Sequence, residues 1–124
     1  MKIDLQKETK MMYRNVWIAL VDIQAKEGKK FNDLIELDGE TSEEYLGAWG
    51  NILVISDRIN EVPYIIEKGL DELDMKVRFI QTIENVGYLV EYDEISKEVI
   101  EDVNWLLSTE YVFKISDKLF TYLE

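Results

Sequence analysis

Asn51-Ile52-Leu53-Val54-Ile55, then Val62-Pro63-Tyr64-Ile65-Ile66-Glu67-Lys68-Gly69-Leu70-Asp71-Glu72-Leu73, then Lys76-Val77-Arg78-Phe79-Ile80-Gln81-Thr82-Ile83 is the stretch that decides the fold. The first segment, within Trp49 to Ser56, is a continuous apolar run rich in β-branched residues and reads as a central strand. In the second, Val62, Ile65, Ile66, Gly69, Leu70 and Leu73 recur at spacings of three and four, which is one face of a helix. Asn60 is placed to cap that helix, and Pro63 falls in the first turn, where a missing N–H does no harm. The third segment alternates basic or polar residues with apolar ones, as a strand with one covered and one wetter side does. Strand, helix, strand predicts a right-handed crossover with the helix packed on a sheet.

Working outward, Val16-Trp17-Ile18-Ala19-Leu20-Val21-Asp22-Ile23 reads as a further buried strand, and Trp17 and Trp49 as core residues. Gln24 to Gly47 is a long excursion with a hairpin, including a short strand at Phe31 to Leu37 and the Asp38-Gly39 turn signal. Tyr88 to Tyr92 adds a short strand. Ser96 caps a second helix whose stripe is Val99, Ile100, Val103, Leu106 and Leu107, with Trp105 at its border. Tyr111 to Ile115 closes the sheet, followed by a turn at Ser116-Asp117 and an apolar tail from Leu119 to Leu123. The expected class is α+β: a two-layer sandwich of ferredoxin-like type, four or more strands with two helices on one face. The opposite face then needs cover from the 24–47 excursion, the C-terminal tail or a second copy of the chain.

The 124 residues fit one domain, 1–124, with a polar leader over 1–12. The chain has neither histidine nor cysteine, which removes imidazole-dependent serine hydrolases, thiolate nucleophiles, disulfides and nitrogen- or sulfur-ligated metal sites. Only an oxygen-ligated calcium or magnesium site is left. The acidic string Asp33, Glu36, Asp38, Glu40 lacks the ligand spacing of an EF-hand, so no metal and no cofactor is expected. Gly47-Ala48-Trp49-Gly50 precedes a strand instead of opening a helix, the wrong setting for a phosphate cradle. Carboxylates are the one acid–base device available, and Asp22 and Asp57, each near the end of an apolar strand, are the positions to inspect; strand termination or helix entry is their structural alternative.

The formal charge is −12 and is uneven. Residues 1–30 hold seven basic and four acidic side chains; residues 31–124 hold seven basic and 22 acidic. An acidic body repels nucleic-acid phosphates and anionic membranes and attracts basic proteins. No run approaches the ~18 apolar residues of a membrane span, and the N-terminus lacks the apolar core of a secretory signal, so the cytoplasm is the expected location.

Gly47-Ala48-Trp49-Gly50-Asn51-Ile52-Leu53-Val54, the amphipathic helix after it, Ile83-Glu84-Asn85-Val86 and Phe113-Lys114-Ile115 together resemble small acidic bacterial immunity proteins of polymorphic or contact-dependent toxins. The resemblance implies an activity class, stoichiometric inhibition of a basic toxin such as a nuclease, and transfers no residue roles. The sequence reading is therefore a non-enzymatic acidic binding protein with a basic protein partner. Its docking surface comprises Asp33, Glu36, Asp38, Glu40, Glu43 and Glu44, and Glu91, Asp93, Glu94, Glu98, Glu101 and Asp102, with Tyr92 and Trp105 as aromatic anchors. The alternative is a ferredoxin-like ligand-binding or regulatory domain that forms a homodimer through its open sheet face; an enzyme using Asp22 or Asp57 ranks third.

Overall fold

The computed structural model describes residues 12–35 and 43–123. Four strands, β1 (Val16–Ala25), β2 (Gly47–Ile55), β3 (Met75–Asn85) and β4 (Phe113–Tyr122), form one antiparallel sheet in the order β3-β1-β2-β4. Three helices join them: α1 (Val62–Glu72) between β2 and β3, and α2 (Val86–Glu91) and α3 (Lys97–Leu107) between β3 and β4. No helix among the described residues is long and apolar enough to cross a membrane.

The strand–helix–strand core of the prediction is present. Both β2 and β3 run antiparallel to β1, which lies between them, so they are parallel to each other and α1 makes the crossover. The chain order β-β-α-β-α-α-β nevertheless differs from the β-α-β-β-α-β order of ferredoxin-like folds, with which it shares this one split β-α-β unit.

Side-chain alternation divides the sheet into two faces. Ala19, Val21 and Ile23 with Ile52 and Val54 form one core with Val62, Ile66 and Leu70 of α1. Val16 and Leu53, pointing the other way, form a second core with Tyr13, Val86 of α2, and Val103 and Leu106 of α3. Ile66, Leu70, Val103 and Leu106 are all fully buried, each stabilising the fold by about 1.5–3 kcal/mol. The two long helices, expected on one face, thus take opposite faces. The connectivity explains it: the chain must pass from one sheet edge, β3, to the other, β4, and α1 already occupies the first face. Gly69 lets α1 sit close to the sheet, since a Cβ there would come within 2.9 Å of the Phe113 ring.

Several local expectations are corrected. Tyr88 to Tyr92 is helical except for its last residue, because the Asn85 side chain accepts a hydrogen bond from the Tyr88 N–H and caps α2, burying Val86 and Leu89. A 3-10 turn at Ile59–Glu61 leads into α1, so Asn60 is not its cap, while Pro63 does lie in the first turn. Phe31–Asp33 is a 3-10 turn that buries Phe31, not a strand; Asp38-Gly39 lies outside the described residues. Ser116-Asp117 does not end β4. The edge of β2 stays available for pairing, so the chain remains in the ladder and takes up its extra residues as a bulge opposite Gly50 and Ile52. Ser96 caps α3 as expected, accepting from the Val99 N–H at 3.2 Å.

Candidate binding surfaces

The second face is covered only in part. Helices α2 and α3 pack over the end where Val16, Ile18, Leu53 and Ile55 project, and among the described residues the other end is left open. There the strand register sets Phe79, Asp22, Trp49 and Phe120 side by side across β3, β1, β2 and β4. Phe79 is 54% and Phe120 66% exposed, and the Trp49 and Phe79 rings meet edge to face with centroids 6.5 Å apart. Trp49, expected in the core, is half-buried in this row. The flanking rows are Lys76, Gln24, Gly47 and Tyr122 on one side and Thr82, Leu20 and Asn51 on the other.

Asp22, at the centre of this face, is only 3% exposed, and a buried carboxylate needs partners for both oxygens. Tyr122 donates its O–H to Oδ1, and Arg78 donates from Nη1 to Oδ2 at 3.2 Å. Gln24 donates to the Tyr122 hydroxyl at 3.0 Å. Each partner reaches Asp22 for a local reason. The β3 register shifts between the partners of Asp22 and Ile23, which leaves Arg78 as the extra residue of a bulge, free to turn toward β1. Tyr122 is two strands away and must cross β2, where Gly47 presents no side chain. A Cβ at Gly47 would lie 2.8 Å from the Tyr122 hydroxyl and would strike the Ile23 carbonyl. Burial, and then the hydrogen bond to the Asp22 carboxylate, raises the Tyr122 phenol above its ordinary pKa. This is a clamp that ties β3, β1 and β4 together over β2. Asp57 is exposed two residues beyond the opposite end of β2, and that end is itself about 20 Å from Trp49, the strand partner of Asp22, at ~3.3 Å per residue, so Asp22 and Asp57 do not form an acid–base pair.

The second surface is acidic. Residues 84–110 hold eight carboxylates and one lysine, a net −7. On α3, Glu98, Glu101, Asp102 and Trp105 follow one another at helical spacings and share a face. Lys114 of β4 lies 3.7 Å from Asp102 and 5.7 Å from the centre of the Trp105 ring, and Lys118 lies 3.6 Å from Glu98. Trp105, at the edge of the buried stripe as expected, is 49% exposed. Among the described residues Glu91, Asp93, Glu94 and Glu101 make no ion pair within 4.0 Å. Tyr88 and Tyr92 stack with centroids 4.6 Å apart, both exposed. Between this segment and the sheet runs a cleft of about 220 Å³, with Glu84 and Glu94 among its lining residues.

The two predicted groups of carboxylates do not form one surface. Asp33, Glu43 and Glu44 sit at the far end of β1 from α2, about 30 Å along the strand. They line a cleft of about 590 Å³ together with Lys26, Lys29, Lys30 and Lys76, and Lys30 approaches Glu44 at 4.0 Å. Glu36, Asp38 and Glu40 lie outside the described residues. The group at 91–102 is contiguous along α2 and α3. Tyr88 was missed because its segment read as a strand; as a helix it stands four residues before Tyr92, on the same face. The Asp22 partners Arg78 and Tyr122 are 56 and 100 residues away in sequence, with no local signal to join them.

Comparison with family models, curated proteins and solved structures returns no match.

Proposed function

We propose that the chain is a non-enzymatic binding protein of the immunity or inhibitor type, acting in the cytoplasm, that neutralises a basic protein such as a toxin nuclease by covering its surface. One observation carries this reading: Glu91, Asp93, Glu94 and Glu101 have no cation partner among the described residues, in a segment of net −7 that also exposes Tyr88, Tyr92 and Trp105. Unpaired carboxylates steer a cationic partner and speed its encounter, and exposed aromatic rings supply the contact area that holds it. Glu98 and Asp102 are already shared with Lys118 and Lys114, so they serve mainly to hold α3 against β4. The resemblance to immunity proteins agrees with this choice and gives the partner its class.

The test is parallel affinity capture at low salt from the native cells with the wild-type chain and with a Glu91→Lys, Glu94→Lys, Glu101→Lys triple variant. The expected result is one basic protein in stoichiometric amount on the wild type, released as salt rises and missing from the folded variant. Equal capture by both would reject this surface, and capture of no basic protein would reject the reading.

A further inference from the structure

We propose that the open half of the sheet is the docking site for a second copy of this chain, face to face about a twofold axis. The face has the right chemistry for such a contact. Phe79, Trp49 and Phe120 stand in one row on β3, β2 and β4, with the buried Asp22 of β1 between them, flanked by the uncharged Leu20, Gln24, Asn51 and Thr82. The rings stand on paired strands and the Asp22 clamp holds β3, β1 and β4 in place, so little order has to be gained on contact. Sheets stack in this manner about 10 Å apart with their side chains interdigitated.

Charge selects the occupant. Each copy carries −12, so two copies repel wherever carboxylates face each other. Along the aromatic row and the Lys76 row the charged side chains are Lys76, Arg78 and Asp22, two positive and one negative, and Asp22 is already neutralised by Arg78. This is a part of the surface where two such chains can meet without opposing carboxylates. A basic partner gains nothing here and is drawn instead to the net −7 segment at the covered end. A symmetric contact also closes on itself, which a face-to-helix contact would not. The inference is independent of the proposed function, and the two respond to salt in opposite directions. Salt screens the repulsion between two −12 chains and strengthens the dimer, whereas it weakens capture of a basic protein.

Sedimentation velocity on the full chain, from about 10 μM to about 1 mM, tests this at low salt and at about 0.5 M salt. The expected species doubles the 14.6 kDa chain mass, forms at lower concentration in high salt, and closes at two copies. Phe79→Asp and Phe120→Asp should each raise the dissociation constant at least about tenfold. Both positions are exposed, so the variants should keep the wild-type circular dichroism. Lys76→Glu leaves the rings intact, adds a carboxylate to the face, and should weaken the dimer at low salt and much less at high salt. A single 14.6 kDa species at every concentration overturns the proposal. So does a dimer that persists in the Phe79→Asp, Phe120→Asp double variant, or a series of ever larger species.

Discussion

The two ends of the second sheet face are built from the same four strands and finished in opposite ways. At one end Val16 and Leu53 are roofed by Val86, Val103 and Leu106, and the roof turns outward a surface of net −7. At the other, Phe79, Trp49 and Phe120 are left in the open around a buried, fully paired aspartate. The first end keeps its apolar groups inside and shows its carboxylates; the second shows apolar groups and buries its carboxylate. A domain this small can therefore offer two recognition chemistries without a second core, because strand alternation supplies both faces and the helical connection covers only part of one.

The two ends differ most in what they contribute to stability. Leu106→Ala, at the covered end, removes a fully buried side chain and should lower unfolding free energy by about 2–5 kcal/mol. Phe120→Ala, at the open end, should change it by about 0.5 kcal/mol or less at concentrations where the chain is monomeric. Urea titrations of both variants at low micromolar protein supply the measurement. A Phe120→Ala loss comparable with that of Leu106→Ala would mean that the open row is core.

A middle-sized effect sharpens what holds the open end together. Gly47→Ala places a methyl group where the Tyr122 side chain crosses β2 and against the Ile23 carbonyl, so either the strand or the tyrosine must shift. The expected loss is about 1–3 kcal/mol. If Gly47 serves to let Tyr122 pass, Gly47→Ala and Tyr122→Phe should be non-additive, the double variant losing less than the two singles summed. Strict additivity would assign the Gly47 requirement to the β1–β2 contact alone.

How much of this was legible in the sequence follows from the range of each interaction. The α1 stripe and the apolar runs of β1 and β2 are local patterns, and they gave the α+β class and the strand–helix–strand unit. The carboxylates of 91–102 are contiguous, so their grouping was legible as well. What escaped was set by long-range pairing. Asp22 reads as a residue near a strand end, but its environment depends on Arg78 in a bulge and on Tyr122 from the far edge strand. Trp49 reads as core because its neighbours are apolar; its half-exposure follows from where α2 and α3 stop. The side on which α3 packs is likewise a property of connectivity: its stripe of Val99, Val103 and Leu106 fits either face equally well.

The smallest predicted effect separates the clamp from its surroundings by pH. Burial and the Asp22 carboxylate hold the Tyr122 phenol above its ordinary pKa, so the folded chain keeps this proton at a pH where the unfolded chain releases it. The stabilisation from the neutral hydroxyl is complete below about pH 10, the unfolded value, and is lost as pH rises through the higher folded value. Lysines and the other tyrosines also titrate in this range, so the wild-type curve alone is not diagnostic. The difference between wild type and Tyr122→Phe removes what the two share. That difference should be constant from about pH 7 to 9 and shrink from about pH 10 upward, because only the wild type has a proton to lose at this position. Thermal unfolding of both proteins across that range is sufficient. A gap that stays constant to the alkaline end would mean that the hydroxyl titrates as freely in the fold as in the unfolded chain, and that the Asp22 clamp is open in solution. A gap that narrows would place the buried carboxylate and the tyrosine in contact, and with them the rigid floor on which the exposed aromatic row stands.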